Sequence, residues 1–298
     1  MILTRRRFLA AASALALPGR IWAGTEIDLG QGRKVLSLSD GHLELPPAFI
    51  FGDMPEAERK AILTAHGIDP AGPLVAPCNV TLLRDGTNTV LFDVGAGPDF
   101  QPSAGDLADA LAAAGVAPED VTHVLFTHGH PDHLWGVLDD FDEPAFPEAR
   151  YLMGGTEAQY WSDPATADSI GAARAAFAAG AKRRLDALGD LVEPLAPGDS
   201  PLPGISAVAT HGHTPGHLSF DLDGLMVLGD CIGNGHVSFD QPQALLGADQ
   251  APEEAAETRA KLMADLAASG LPVLGFHLPG GGIGQVVQDG DAYRFAPS

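Results

Sequence analysis

The segment Thr127-His128-Gly129-His130-Pro131-Asp132-His133 sets three imidazoles and a carboxylate within six residues, directly after the apolar run Val121 to Phe126. That run is rich in β-branched and aromatic residues and reads as a buried strand, so the cluster occupies the loop leaving it. Loops at strand ends are where α/β proteins build their sites. A tight turn with Gly129 and Pro131 sends alternate side chains to different centres. His128 and His130 can converge on one cation, while Asp132 and His133 reach a second. Imidazole suits zinc, iron, cobalt and nickel, and the added carboxylate keeps the pattern compatible with a hydrolytic metal.

Further ligand types follow at similar places. Thr210-His211-Gly212-His213-Thr214-Pro215-Gly216-His217 precedes a strand-like run, Leu218 to Leu222, and Gly229-Asp230 ends another, Leu225 to Leu228. Val273 to His277 delivers one more histidine into a loop rich in glycine and proline. Together these supply two trios and a carboxylate able to bridge them. Because these residues run from His128 to His277, one site spans both halves of the chain, which argues for a single domain over residues 24–298.

With these residues the chain resembles the metallo-β-lactamase superfamily, whose His-x-His-x-Asp-His signature is matched by His128, His130, Asp132 and His133. The resemblance implies a four-layer αββα sandwich of the α/β class. It also implies two divalent metal ions, zinc first, with iron, manganese or cobalt as alternatives. One metal would be held by His128, His130 and His213, the other by Asp132, His133 and His277, with Asp230 and a hydroxide between them. Within the His-Thr-Pro-Gly-His element the first histidine is the ligand, so His213 is carried over and His217 is not. Asp132 also becomes a candidate catalytic proton carrier, and Asp93, in Asp93-Val94-Gly95, orients the metal loop from outside the ligand set. His-Pro-Asp-His-Leu-Trp-Gly, the Glu157/Trp161 pair and the stretch from Asp249 to Phe295 are similar to the branch that contains methyl parathion hydrolase.

The expected function is therefore hydrolysis of an ester, lactone or phosphotriester of a small molecule. The ligands alone cannot choose among these, since all need the same hydroxide and polarising metal. Acyl-homoserine lactonases carry a tyrosine three residues after the bridging aspartate, where this chain has Gly233. In the organophosphate hydrolase an aromatic and a further histidine follow the last ligand, where this chain has Leu278 and a glycine-rich loop. A mononuclear iron oxidoreductase resembling sulfur dioxygenases, and a non-catalytic metal-retaining protein, are the alternatives from other classes.

Thr4-Arg5-Arg6-Arg7-Phe8-Leu9, the apolar Ala10 to Leu17 and a small-residue site at Ala23 have the form of a twin-arginine signal peptide over residues 1–23. The expectation is a partner in the twin-arginine export machinery and a periplasmic or secreted mature protein. The apolar run is too short to span a bilayer, so no membrane insertion of the mature chain is expected. Removing residues 1–23 takes away four arginines and no acid, leaving 13 basic against 39 acidic residues and a formal charge of −26. Such a surface repels phosphate backbones and excludes a nucleic-acid partner. Cys78 and Cys231 are too few for a disulfide framework and read as free buried thiols.

Strands are expected over Arg33 to Leu38, Asn79 to Leu83 and Thr89 to Phe92, the last two joined by an Asp85-Gly86 hairpin turn. Helices are expected over Pro55 to His66 with Asp53 as its cap, Asp106 to Ala114, Ala167 to Leu188 and Pro252 to Ala268, with Gly171 and Gly180 as weak points in the third. The proline-rich stretch from Leu195 to Gly204 crosses between sheets. Trp135, two residues beyond a ligand, and His236, in the loop after Asp230, are candidates for a pocket wall.

Overall fold

Neighbouring residues of the central strands are buried in two different places, and this parity sets the architecture. The computed structural model describes residues 26–298, so the export signal read over residues 1–23 lies outside the described residues. The first sheet holds β1 (Glu26–Gly30), β2 (Arg33–Leu45), β3 (Leu74–Arg84), β4 (Thr89–Phe92), β5 (His123–Phe126), β6 (Arg150–Gly154) and β7 (Val192–Leu195), in that spatial order. The second holds β8 (Ser206–Ala209), β9 (Leu218–Asp221), β10 (Met226–Val227), β11 (Val273–Leu274), β12 (Ile283–Asp289) and β13 (Ala292–Pro297), again side by side. Strands β4 to β7 are mutually parallel, as is the β10/β11 pair, and the remaining pairs are antiparallel.

Val90, Phe92, Leu125 and Leu152 from the first sheet cluster with Phe220, Val227, Leu274 and Ile283 from the second, which forms the layer between the sheets. Their sequence neighbours Leu91, Val124, Phe126 and Met153 are buried on the opposite face. That face is covered by helices including α1 (Pro47–Phe51), α2 (Glu56–Ala65), α3 (Leu107–Ala113), α4 (Pro131–Leu134), α5 (Gly155–Ser162), α6 (Thr166–Ser169) and α7 (Ala175–Leu188). On the outer side of the second sheet, Met226, Val273 and Val286 pack with Met263 and Leu266 of α9 (Pro252–Ser269), close to the short α8 (Val237–Asp240). The result is the expected αββα order. Strands buried on both faces read as unbroken apolar runs, which is why β4 and β5 were visible in sequence.

Several expected boundaries move. Strand β2 continues to Leu45 and β3 starts at Leu74, because a register shift between Ser39 and His42, with Gly41 at φ +88°, bends β2 without ending it. Helix α2 begins after Pro55 with no side-chain cap, so Asp53 does not cap it. The alanine-rich helix is two pieces, α6 and α7, broken around Gly171 at φ +92°, whereas Gly180 stays helical beneath the Trp135 ring. The stretch between β7 and β8 does cross from one sheet to the other. Cys78 and Cys231 are buried and free. Among the described residues no helix is long and apolar enough to cross a membrane.

The β2 bulge buries Asp40 completely. Its carboxylate accepts the backbone N–H groups of Ala96 at 2.7 Å and Leu107 at 2.8 Å, tying the loop after β4 to the start of α3. Burial pushes this carboxyl up to about 7 although those amides favour its charged form. The native state thus holds a proton that the unfolded chain releases near pH 4. The contribution is fully present below that pH and is lost as pH rises through about 7. Wild-type stability should therefore decline relative to Asp40→Asn between pH 4 and 7 and level off above. Urea midpoints of both proteins across this range test it, and parallel profiles would refute it.

Candidate metal centre

Each expected ligand leaves the end of a strand on the same side of the sandwich. Strand β5 delivers the loop with His128, His130, Asp132 and His133, the β8/β9 loop delivers His213, and the segments after β10 and β11 deliver Asp230 and His277. All seven are at most 8% exposed. They form two groups, His128/His130/His213/Asp230 and Asp132/His133/Asp230/His277, each able to offer one ligand atom per residue with those atoms within 4.8 Å of one another. Asp230 belongs to both. Its Oδ1 lies 3.3 Å from His133 Nε2, and its Oδ2 lies 3.5 Å from His213 Nε2 and 3.3 Å from His277 Nε2.

The outer nitrogens of three rings are already used. His133 Nδ1 donates to Asp93 at 2.8 Å, His213 Nδ1 to Asp249 at 3.0 Å and His277 Nδ1 to the Pro77 carbonyl at 2.8 Å. These bonds put the proton on Nδ1 and turn each Nε2 inward with its lone pair. Among the described residues His128 Nε2, His133 Nε2, Asp132 Oδ2 and Asp230 Oδ1 are buried without a hydrogen-bond partner. Gln250 Oε1 is unpartnered too, while its Nε2 stands 3.1 Å from His130 Nε2. Turning that amide over lets Oε1 accept from His130 Nε2, which leaves a lone pair on Nδ1, 3.0 Å from His213 Nε2. Buried lone pairs facing each other make the donor set of a cation site, so the residues fit a pair of divalent metals.

The electrostatics show carboxylates that demand positive charge beside them, as protons on these rings or as metal ions. Burial opposes charge on His133 and His277, yet Asp230, with Asp132 beside it, holds both rings well above the ordinary histidine range. Burial likewise works against the carboxylates of Asp132 and Asp230, and the same two rings hold them well below theirs. Burial lowers His128 and His130, which face other imidazoles.

Asp93, at φ +66°, also accepts the Thr127 N–H and Oγ1–H, both at 2.8 Å, so one carboxylate fixes the strand end and the His133 ring. His217 is not free to bind a metal: its Nδ1 meets Thr210 Oγ1 at 2.8 Å and its Nε2 accepts the Asp230 N–H at 3.0 Å. His211 is in neither group.

Other contributors were not assigned from sequence. Glu157 accepts from Gly129 N at 3.0 Å, Gly216 N at 2.8 Å and Trp161 Nε1 at 2.6 Å, clasping the two histidine loops together. Gly129 must be glycine because a Cβ there would enter the Trp161 indole. Asp249 orients His213 and is held by Arg259 Nη1 at 3.0 Å. Asn79 Nδ2 donates to the Phe276 carbonyl at 2.8 Å and the Leu278 carbonyl at 2.9 Å, fixing the His277 loop. Sequence gave a hint only for Glu157, an acid followed four residues later by tryptophan.

A cavity of about 380 Å³ opens on this cluster, walled by His130, Asp132, His213, Asp230 and His277 at one end and by Leu43, Phe49, Phe100, Phe177 and Leu246 elsewhere. A larger one of about 1090 Å³, bounded by Asp40, Leu107 and Phe141, touches none of the seven residues. Trp135 does not line the smaller cavity; it packs behind it against Phe100 and beneath the Arg184 guanidinium. His236 lines an adjoining cavity.

The family model of the metallo-beta-lactamase superfamily matches residues 74–269. The mouse (Mus musculus) metallo-beta-lactamase domain-containing protein 1 is 42% identical over 83 residues, which are 24% of this chain and 32% of that protein, so the chain spans only about a third of this relative's length. The crystal structure of hydrolase AbOPH, described as in the beta lactamase superfamily, superposes with a TM-score of 0.84 at 29% identity, covering 92% of this chain and 97% of that one. AidC, a dizinc quorum-quenching lactonase in complex with a product, shares the fold with a TM-score of 0.85 at 22% identity over the same shares. With the family model covering most of the chain and the sandwich and ligand groups of its signature in place, the protein belongs to the metallo-beta-lactamase superfamily.

Proposed function

We propose that the protein is a dinuclear metal-dependent hydrolase that cleaves an ester, lactone or phosphotriester bond in a small uncharged molecule. The observation that carries this reading is the pair of convergent ligand groups sharing Asp230 at the end of an apolar cavity. The 29% identical hydrolase AbOPH supports the reaction class. His128, His130 and His213 would hold one metal and Asp132, His133 and His277 the other, with Asp230 common to both. Zinc suits this donor set, and iron, manganese or cobalt are the alternatives. Bound there, two divalent cations supply acidification of a shared water and polarisation of the oxygen of the bond under attack.

The chain's own residues do the rest. Asp132 reaches the cavity, and a carboxylate that holds a metal through one oxygen keeps the other to take the proton of the attacking water and return it to the leaving oxygen. Phe49, Phe100 and Phe177 bind the apolar part of the substrate and keep water away. The cationic side chain on the wall, Arg259, is committed to Asp249 and to the carbonyls of Pro242 and Ala244. Among the described residues no uncommitted lysine or arginine lines that wall for an anionic substrate, and the formal charge of −22 disfavours one at long range. In the same reading the mature chain starts at Gly24 in the periplasm or medium, which the N-terminal mass of exported protein tests.

Elemental analysis should find two metals per chain together with turnover of p-nitrophenyl esters, aliphatic lactones or a phosphotriester. One iron per chain with no turnover would overturn the reading. Asp230→Ala should lose metal and most of the rate, whereas His217→Ala should melt at lower temperature but keep both metals, since neither of its ring nitrogens is available.

Glu157→Gln loosens the clasp between the two histidine loops without touching a ligand. It should weaken metal binding by roughly 10–100-fold, as removal of supporting partners around metal ligands does. Competition with a chelator measures this, and wild-type affinity would show that the clasp serves only the fold.

A further inference from the structure

The cavity beside the ligand cluster adjoins a second one of about 290 Å³, with which it shares the lining residues Leu45, Ile50, Gly233, Asn234 and His277. Gly233 leaves this junction open: a Cβ there would meet only the Asp230 carbonyl, at 3.3 Å. The walls of the second cavity are largely apolar, with Ile68, Leu74 and Pro279 among them, and its polar features are few.

Two of those features have no protein partner for what they offer. The Val237 N–H donates to His236 Nδ1 at 2.8 Å, so the neutral ring carries its proton on Nε2. The ring stacks on Phe51 with centroids 5.5 Å apart, which fixes its plane, and burial pushes it down to about 4, which keeps it neutral. Asn234 Oδ1 accepts the N–H groups of His236 at 3.2 Å and Ser238 at 3.0 Å, so its amide is oriented and its NH₂ faces away from those bonds. Among the described residues neither His236 Nε2 nor Asn234 Nδ2 has a hydrogen-bond acceptor. His236 is 8% and Asn234 7% exposed, and both line the chamber, from which an acceptor would reach their donors. His66, whose ring lies 6.3 Å from that of His236, is already occupied by the Asp240 carboxylate at 3.0 Å. The chamber therefore offers neutral donors on walls that hold no lysine, arginine, aspartate or glutamate, a combination that suits an uncharged acceptor.

We propose that this second chamber is a subsite for an uncharged carbonyl or amide oxygen, bound by His236 Nε2–H and Asn234 Nδ2–H. The ligand then straddles the junction at His277, its apolar portion among Phe49, Phe100 and Phe177 and its carbonyl-bearing portion in the chamber. That the ligand is a substrate rests on the hydrolase reading; that the chamber binds such an oxygen does not.

Titration of protein carrying ¹⁵N-labelled histidine with N-ethylbutyramide tests the binding directly, without turnover. The amide should shift the His236 Nε2 resonance saturably. His236→Phe, which can still stack on Phe51 but has no donor, should bind it about tenfold more weakly, and His236→Gln, which keeps a donor, should bind it better than the phenylalanine variant. An unmoved His236 resonance, or equal affinity in His236→Phe, overturns the proposal. Binding at His236 in a protein that hydrolyses no ester would support the subsite while sinking the hydrolase reading. Ester hydrolysis with the same KM in wild type and His236→Phe, and no amide binding, would do the reverse.

Discussion

The Asp230 carboxylate is the constraint on which the site depends. It is buried among three inward-facing imidazole nitrogens and belongs to both ligand groups, so its charge must be balanced on two sides at once. Taking a carboxylate out of water is costly unless it is paired or coordinates a metal. The outer hydrogen bonds to Asp93, Asp249 and Pro77 turn lone pairs toward Asp230 and Asp132. Cations held between these groups would resolve the conflict, and the surrounding hydrogen bonds keep the donors in place.

Rigid strand ends supply that arrangement. A ligand set drawn from four separate segments holds its geometry only if those segments cannot slide, and the layer of Val90, Phe92, Leu125, Phe220, Val227 and Leu274 between the sheets locks them. Glu157 couples the two histidine loops at their backbones, while Asn79 anchors the His277 loop from β3. Preorganisation of this kind comes from groups that touch no metal.

Most residues of the two groups were legible from local spacing: alternate residues of a tight turn after an apolar strand can serve two centres, Asp230 and His277 each end an apolar run, and His213 came from the resemblance. The supporting residues were not, since their roles exist only across the fold. Asp249 meets His213 across 36 positions and Asn79 meets the Leu278 carbonyl across 199. Asp40 did leave a trace, an Asp-Gly pair within an otherwise strand-like stretch, which is the signature of a bulge. Boundaries failed for a related reason. Strand β2 carries polar residues where it bends, so its apolar pattern stops at Leu38 although its backbone pairing runs to Leu45.

Under the proposed hydrolase reading, charge and pocket chemistry together narrow what the site would accept further than the ligands do. An acidic chain would suit a cationic substrate, but the cavity reaching the cluster is walled mainly by aliphatic and aromatic side chains, which would strip such a cation of its water. An anion finds no uncommitted lysine or arginine on that wall, since Arg259 is held by Asp249 and by two backbone carbonyls. A neutral molecule incurs neither cost and gains from apolar burial along the aromatic wall. Neutral esters, lactones and phosphotriesters share this property, and they also share an electrophilic centre whose charge appears only as the reaction proceeds. A site that favours neutral ground states while concentrating its electrostatics at one end stabilises the transition state more than the substrate.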